Sequence, residues 1–77
     1  MEYKYDHEAD AVYIRISTLE HHHSQELDDS RFIDYAEDGS VIGVELLYVS
    51  GGVDTEGLPH REEIKQLLSE KGIKVFA

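Results

Sequence analysis

The longest apolar run in the sequence, V-I-G-V-E-L-L-Y-V at residues 41–49, is the feature that most constrains the fold. Only Gly43 and Glu45 interrupt it. A segment that is apolar at both odd and even positions is typical of a strand covered on both faces. We therefore expect the central strand of a small sheet. Because side chains alternate along a strand, one face should carry Ile42, Val44, Leu46 and Tyr48, and the other Val41, Leu47 and Val49.

The size of the chain predicts one domain. It has 77 residues and no cysteine, so neither a disulfide nor a thiolate metal site can stabilise it. A chain of this length buries only about 60% of the surface that it exposes when unfolded. The N-terminus lacks the charged-then-apolar order of a signal peptide, and no apolar run has the length of a membrane span. We expect a soluble, cytoplasmic domain over residues 1–77 with no membrane partner.

The net charge of the chain indicates which classes of partner it can bind. Seventeen acidic residues against 7 basic residues give a formal charge of −10. Contacts to phosphates need clustered lysine and arginine, so nucleic acid is not expected as a partner. An acidic field accelerates the encounter with a basic protein, although acidic excess also simply keeps small proteins in solution.

Alternating polar and apolar residues predict further strands on both sides of the central run. They cover residues 2–5, 11–17 and 31–36, and residues 25–28 could form another short strand. An Asp-Gly step at residues 38–39 separates two apolar runs, which is the strongest short-range signal for a hairpin. Tyr35 and Val41 should therefore lie near each other on neighbouring antiparallel strands.

The C-terminal part predicts one helix at about residues 59–71, after a glycine-rich, flexible connector at 50–57. Pro59 suits the first helical position, and Gly72 suits the residue just beyond the end, where Ile73 can contact Leu68. Residues 73–76 alternate again and could add a short final strand. The fold class is α+β, with an antiparallel sheet of four to five strands at residues 2–49 and the helix on one face. The apolar stripe of the helix consists of Ile64, Leu67 and Leu68.

Two blocks of the sequence resemble a known family. Residues 5–16 read Tyr-Asp, two residues, Ala-Asp-Ala, one residue, Tyr-Ile, and a second block comprises residues 33–35, 38–39 and 41–45. The chain thereby resembles a widespread prokaryotic family of small domains of unknown function, numbered twenty-two eighty-three, over about residues 3–49. The resemblance implies a small antiparallel sheet with a C-terminal helix and no established activity. Members are often encoded beside small toxin-like proteins, which hints at antitoxin-type binding.

Two loops could hold a metal ion. Asp6, Glu8 and Asp10 are spaced as in some calcium loops, but the glycine and glutamate that such a loop also needs are absent. We therefore read residues 6–10 as a hairpin turn capped by Asp6 and Asp10.

Three consecutive histidines occupy positions 21–23. In an extended loop His21 and His23 would point the same way and could share one Zn, Ni or Cu ion with Glu20 or Glu26. A structural zinc site normally needs four ligands, and a solvated polar loop is the alternative.

Acid–base catalysis by Asp34 and Glu45 is conceivable, because these carboxylates lie on neighbouring predicted strands. Both alternate with apolar residues, however, so pairing with Arg15 or Arg31 at the surface is the simpler interpretation. The sequence contains no phosphate-binding glycine loop, nucleophile elbow or zinc-protease motif. We expect neither an enzyme nor a cofactor.

The tyrosines suggest a protein interface. Tyr3 and Tyr5 share one face of the first strand, and Tyr13 lies opposite the Val/Ile side of the second. If the helix leaves these rings uncovered, they form an aromatic patch suited to a partner or to a homodimer; a second core layer is the alternative.

The leading hypothesis is a non-enzymatic binding module that docks a small basic, toxin-like protein through the sheet face or an edge strand. Metal binding or sensing by the histidine loop is the alternative function.

Overall fold

Five strands form one antiparallel sheet in the computed structural model, which describes residues 1–77. Their order across the sheet is β1-β2-β5-β4-β3, so β5 is the central strand, as predicted. One helix, α1, follows the sheet in the chain, which confirms the α+β class. No helix is long and apolar enough to cross a membrane. The bounds are β1 (Glu2–Asp6), β2 (Ala11–Arg15), β3 (His23–Asp28), β4 (Arg31–Tyr35), β5 (Val41–Leu47) and α1 (Arg61–Glu70).

The hairpin between β4 and β5 confirms the interpretation of the Asp-Gly step. Tyr35 lies opposite Val41 in the register of the two strands. Gly39 has a φ of 89°, a left-handed conformation that glycine adopts without steric cost. The Ser40 N–H donates to the Asp38 carboxylate at 2.9 Å and closes the turn.

The central strand ends earlier than the apolar run. Tyr48 has a φ of 56°, and this left-handed residue breaks the alternation of side chains. As a result Tyr48 is 65% exposed while Val49 is buried, so the faces predicted for these two residues were wrong. The other side chains expected on the inner face are buried, namely Ile42, Val44 and Leu46.

The core lies between α1 and one face of the sheet, which we call the helix face. Ile64 and Leu68 are fully buried, and Leu67 packs at the margin, so the predicted apolar stripe is confirmed. The helix begins at Arg61 rather than Pro59, because His60 adopts a left-handed φ of 53° that is incompatible with helix. The buried cluster comprises Val12, Ile14, Val44, Leu46, Val49, Val53, Leu58, Ile64 and Leu68.

The end of α1 has the predicted glycine cap. The Ile73 N–H donates to the Leu68 carbonyl at 2.9 Å, and the Gly72 N–H donates to the Ser69 carbonyl at 3.1 Å. This pair of hydrogen bonds, with Gly72 at a φ of 79°, is a Schellman motif. Residues 73–76 do not form the expected short strand, since they contribute one isolated parallel bridge between Val75 and Val53.

The glycine-containing connector, which the sequence predicts to be flexible, forms hydrogen bonds with two distant parts of the chain. Thr55 is fully buried, and its N–H and hydroxyl both donate to the Ala77 carbonyl, at 2.9 and 2.6 Å. The Arg31 side chain donates to the carbonyls of Asp54 and Glu56, at 3.0 and 2.5 Å. These bonds satisfy backbone groups that no strand or helix pairs.

Candidate functional site

The face of the sheet opposite α1, which we call the open face, is not covered by any other element of the chain. Alternation along the strands, together with the register of their pairs, gives its composition. Apolar and charged groups are mixed on it, and the apolar ones are only half-buried. Its side chains are Glu2, Lys4 and Asp6 from β1, Ala11, Tyr13 and Arg15 from β2, Glu45 and Leu47 from β5, Phe32 and Asp34 from β4, and Ser24 and Glu26 from β3; Gly43 of β5 adds bare backbone.

Tyr13 lies flat across the middle of the open face, over Gly43 of β5. A Cβ atom at position 43 would overlap the hydroxyl and Cζ of Tyr13 and would lie 3.0 Å from the Ile14 carbonyl oxygen. Gly43 is therefore present because only bare backbone lets the ring approach this closely. The Arg15 guanidinium lies 5.8 Å from the centre of the same ring, within cation–π range.

Asp34 connects the ring to the histidine loop. Asp34 lies near the Tyr13 phenol, whose pKa its charge helps to raise, and the Ser24 hydroxyl donates to the Asp34 carboxylate at 2.5 Å. His21 Nε2 lies 2.9 Å from the Ser24 hydroxyl and 3.8 Å from an Asp34 oxygen. His21, Ser24 and Asp34 thus form one hydrogen-bonded cluster, with Tyr13 beside it.

This cluster does not have the geometry of a nucleophilic triad. In a triad the histidine lies between the hydroxyl and the carboxylate and accepts the hydroxyl proton. Here Ser24 lies between His21 and Asp34, and its proton is directed at the carboxylate. The cluster can hold Asp34 in a fixed orientation and present negative charge to a cation. Arg15 pairs with Glu2, at 3.8 Å, and Arg31 with Asp28, at 2.9 Å, so neither neutralises Asp34 or Glu45.

The two histidines predicted to share a metal ion have different partners. His21 contacts Ser24, whereas His23 Nδ1 lies 3.0 Å from His22 Nδ1, and the His23 ring stacks on Tyr35. No group of three or more histidine, cysteine, aspartate and glutamate side chains is arranged to hold a metal ion. The structure therefore brings together His22 and His23 rather than His21 and His23.

The three tyrosines proposed as an interface do not share a face. Tyr3 lies opposite Ile14 and Tyr5 opposite Val12, which places both on the helix face. Tyr3 packs against the core, while Tyr5 is 48% exposed at the sheet edge. Of the three, only Tyr13 lies on the open face.

The two residues predicted to cap the acidic turn between β1 and β2, Asp6 and Asp10, have different hydrogen-bond partners. Asp6 accepts the Ala9 N–H at 3.2 Å and caps the hairpin, as expected. Asp10 instead accepts the Ser50 N–H and hydroxyl, at 2.9 and 2.6 Å. It therefore holds the single 3-10 turn at Val49–Gly51, on the far side of β5 in the sequence, rather than the hairpin.

Comparison with known proteins assigns the strands to one family. Residues 2–50 match the model of a family described as "Protein of unknown function (DUF2283)", and this segment is more than half of the chain. The chain belongs to this family. The segment matched to DUF2283 contains all five strands and every residue of the open face, and α1 lies outside it. No curated protein and no solved structure matches the chain.

Two apolar residues of this DUF2283 sheet were not singled out from the sequence as candidates for the site. Phe32 lies opposite Glu45 in the β4–β5 register, and Leu47 lies opposite Ala11 in the β2–β5 register. Both are half-buried on the open face. The signal that could have found Phe32 is its shared parity with Asp34 on the same strand, once the sheet order was known.

The pKa of Tyr13 gives a test of the cluster. Burial first, and then the charge of Asp34, raise the pKa of this phenol above its ordinary value. Burial also raises the pKa of Tyr3. A phenol whose pKa is higher in the folded state stabilises the fold fully below about pH 10, and this contribution is lost as the pH rises through the folded pKa.

We expect a spectrophotometric titration at high pH to show that Tyr3 and Tyr13 ionise above the ordinary pKa of a phenol. Tyr13→Phe should remove one of these two late transitions, and Tyr3→Phe should remove the other. Asp34→Asn should move the Tyr13 transition to lower pH, because the repelling charge is gone. An unchanged Tyr13 transition in Asp34→Asn would show that the carboxylate does not face the phenol.

Proposed function

We propose that this chain is a non-enzymatic protein-binding module that docks a small basic protein on the open face, as an antitoxin-like partner in the cytoplasm. The observation that carries the proposal is the composition of that face. Half-buried Tyr13 and Phe32 lie at its middle, with the carboxylates of Asp34, Glu45 and Glu26 beside them. Aromatic rings at the centre with charged groups around them are typical of protein interfaces.

The charges favour a basic partner over a neutral one. The strands β5, β4 and β3 contribute three carboxylates and no basic residue to the open face. A net charge of −10 on the whole chain adds a long-range field that steers cationic proteins toward it. An arginine or lysine of the partner can therefore pair with Asp34 or Glu45 while its aliphatic stem covers the rings.

The cluster around Asp34 should reduce the conformational entropy that is lost on binding. A hydrogen bond already joins Ser24 and Asp34, and the Tyr13 ring lies against Gly43, so little side-chain freedom remains to be lost. Groups that are ordered before binding reduce the entropic cost of association. A rigid docking surface of this kind needs no catalytic step.

The test compares Glu45→Lys with Glu70→Lys, which makes the same charge change at the exposed end of α1. Basic proteins captured by the wild type from the native organism are identified, purified and titrated by calorimetry. We expect Glu45→Lys to weaken binding at least about tenfold, or 1.4 kcal/mol, and Glu70→Lys to have little effect. Affinity should fall as the salt concentration rises.

Three results would contradict the proposal. They are equal affinities for the two variants, a captured partner with an acidic surface, and a wild type that is a stable dimer in sedimentation but a monomer when Glu45 is reversed. The last would show that a second copy occupies the open face. Circular dichroism of each variant separates loss of binding from loss of folding.

Metal binding or sensing by the histidine loop is the second candidate, and one contact favours it. The Nδ1 atoms of His22 and His23 lie 3.0 Å apart and share one proton in a hydrogen bond. A metal ion could take the place of that proton and bind both nitrogens. Imidazole suits Ni, Cu or Zn.

The test is nickel titration of protein purified without nickel. His23→Ala should abolish binding if either the predicted pair, His21 and His23, or the observed pair, His22 and His23, forms the site. His21→Ala and His22→Ala then distinguish the two pairs. Unchanged affinity in His23→Ala would reject both.

A further inference from the structure

The lysines of this acidic chain are concentrated at one edge of the sheet. Lys4 lies on β1, the edge strand, and Lys71 and Lys74 follow the end of α1 beside it. The one other lysine is Lys65, within α1. No lysine forms an ion pair with an acidic side chain, whereas the arginines are engaged within the fold. Those partners are Glu2 for Arg15, Asp28 for Arg31 and the Thr55 hydroxyl for Arg61.

A groove runs between β1 and the loop after α1, on the helix face. It has a volume of about 290 Å³, and Tyr3, Tyr5, Lys71 and Lys74 line it. The Lys71 ammonium lies 5.2 Å from the centre of the Tyr3 ring, and the Tyr5 ring is half-exposed. Aromatic walls and unpaired ammonium groups together suit a ligand with both apolar and negatively charged parts.

The strand that forms one wall of this groove is open to pairing. β1 is paired with β2 alone and is regular over all five residues. The other edge strand, β3, has a register shift between Glu26 and Asp28, and irregular edges resist further pairing. Of the two edges, β1 is the one that can accept an added strand.

We propose that the β1 edge binds an extended, acidic segment of a partner protein as a sixth strand. Backbone groups of the segment pair with the free edge of β1. Side chains of one parity enter the groove, where carboxylates meet Lys71 and Lys74 and apolar groups meet Tyr3 and Tyr5. Side chains of the other parity lie on the open face, beside Glu2, Lys4 and Asp6 of β1, so the carboxylates of the segment belong to the parity that enters the groove. The site is separate from the carboxylates proposed to bind a basic protein.

An acidic peptide strand is favoured at the β1 edge over two other ligands, a second copy of this chain and nucleic acid. A second copy of β1 would bring Lys71 and Lys74 toward the same lysines of its partner, where like charges repel. Nucleic acid would meet the same three lysines, but it has no peptide backbone that could pair with the free edge of β1. An acidic peptide strand gains the local attraction and also the backbone hydrogen bonds.

The experiment uses a fluorescent peptide of about eight residues, the length of an ordinary strand, with glutamate and threonine alternating. Binding is measured by anisotropy against the full chain. Lys71→Glu should weaken binding at least about tenfold, and Lys65→Glu, the matched charge change on α1, less than about twofold. Glu45→Lys should leave peptide affinity unweakened, so that failure here and failure of the basic-partner proposal are distinguishable.

Further probes test the mode of binding. A peptide of equal charge with two adjacent prolines at its centre should not bind, because one of any two adjacent residues in an added strand must donate its N–H to β1 and proline has none. Backbone amides of β1 should become protected from hydrogen exchange when the alternating peptide is added. Equal binding of the proline peptide, no effect of Lys71→Glu, or tighter binding of a single-stranded RNA of the same length would overturn the proposal. So would a concentration-dependent dimer of the wild type that Lys71→Glu dissociates.

Discussion

Leu68→Ala is expected to lower the free energy of unfolding by about 2–5 kcal/mol, the range for truncating a fully buried leucine. Leu68 has no exposed surface and belongs to the cluster of nine buried residues that joins α1 to the sheet. A domain of this size has a total stability of the order of 4–12 kcal/mol at about 0.05–0.15 kcal/mol per residue. One substitution should therefore remove a large share of it.

Urea denaturation followed by far-ultraviolet circular dichroism measures this loss. Leu67→Ala is the matched control, because it makes the same chemical change on the same helix at a half-buried position. We expect a clearly smaller loss for Leu67→Ala. Equal losses would show that α1 is seated on the sheet differently, with Leu67 inward.

The sequence was sufficient to predict this part of the structure for a physical reason. The spacing of Ile64, Leu67 and Leu68 matches a helix period, and alternation along β2 and β5 matches a strand period. Each pattern is local, and burying it requires only that two apolar faces meet. The cap at Gly72 is similarly local, because a left-handed residue after a helix favours glycine whatever surrounds it.

Features that depend on distant contacts could not be predicted in this way. Tyr48 and His60 are not glycine, yet both adopt a left-handed φ. Histidine enters this region more often than most residues, but neither identity alone predicts the conformation. The bonds from Ser50 to Asp10 span 40 positions and fix the turn just after Tyr48. Arg31 and the C-terminal segment supply the hydrogen bonds of the connector, and no pattern within the connector itself reveals them.

The individual residues of the site could be predicted from the sequence, but their proximity in the folded sheet could not. Asp34, Glu45 and Tyr13 each stood out by residue type and parity. Their proximity depends on β5 lying between β2 and β4, a strand order that alternation does not determine. The bond from Ser24 to Asp34 additionally requires the β3–β4 register. Gly43 reads from the sequence as an interruption of an apolar strand, although it is the position that admits the Tyr13 ring.

Gly43→Ala is expected to lower the free energy of unfolding by about 1–3 kcal/mol, the usual cost of an added group in a filled space. The new Cβ would occupy the place of the Tyr13 hydroxyl and Cζ, so the ring must move away. The phenol would then move relative to the Asp34 carboxylate, and the middle of β5 would be exposed to water. Binding of a basic partner at the open face should weaken together with stability.

Two further variants isolate the cause. Gly51→Ala adds the same methyl group at a position where a Cβ meets no atom within 4 Å, so its effect should stay within about 0.5 kcal/mol. In a Tyr13→Ala background, the cost of Gly43→Ala should shrink, because the ring that obstructs the methyl group is gone. The double-mutant cycle measures that difference as a coupling energy, expected at about 0.5–3 kcal/mol for residues in contact. A coupling energy near zero would mean that the Ile14 carbonyl, 3.0 Å from the added Cβ, and not the Tyr13 ring, is what requires glycine at position 43.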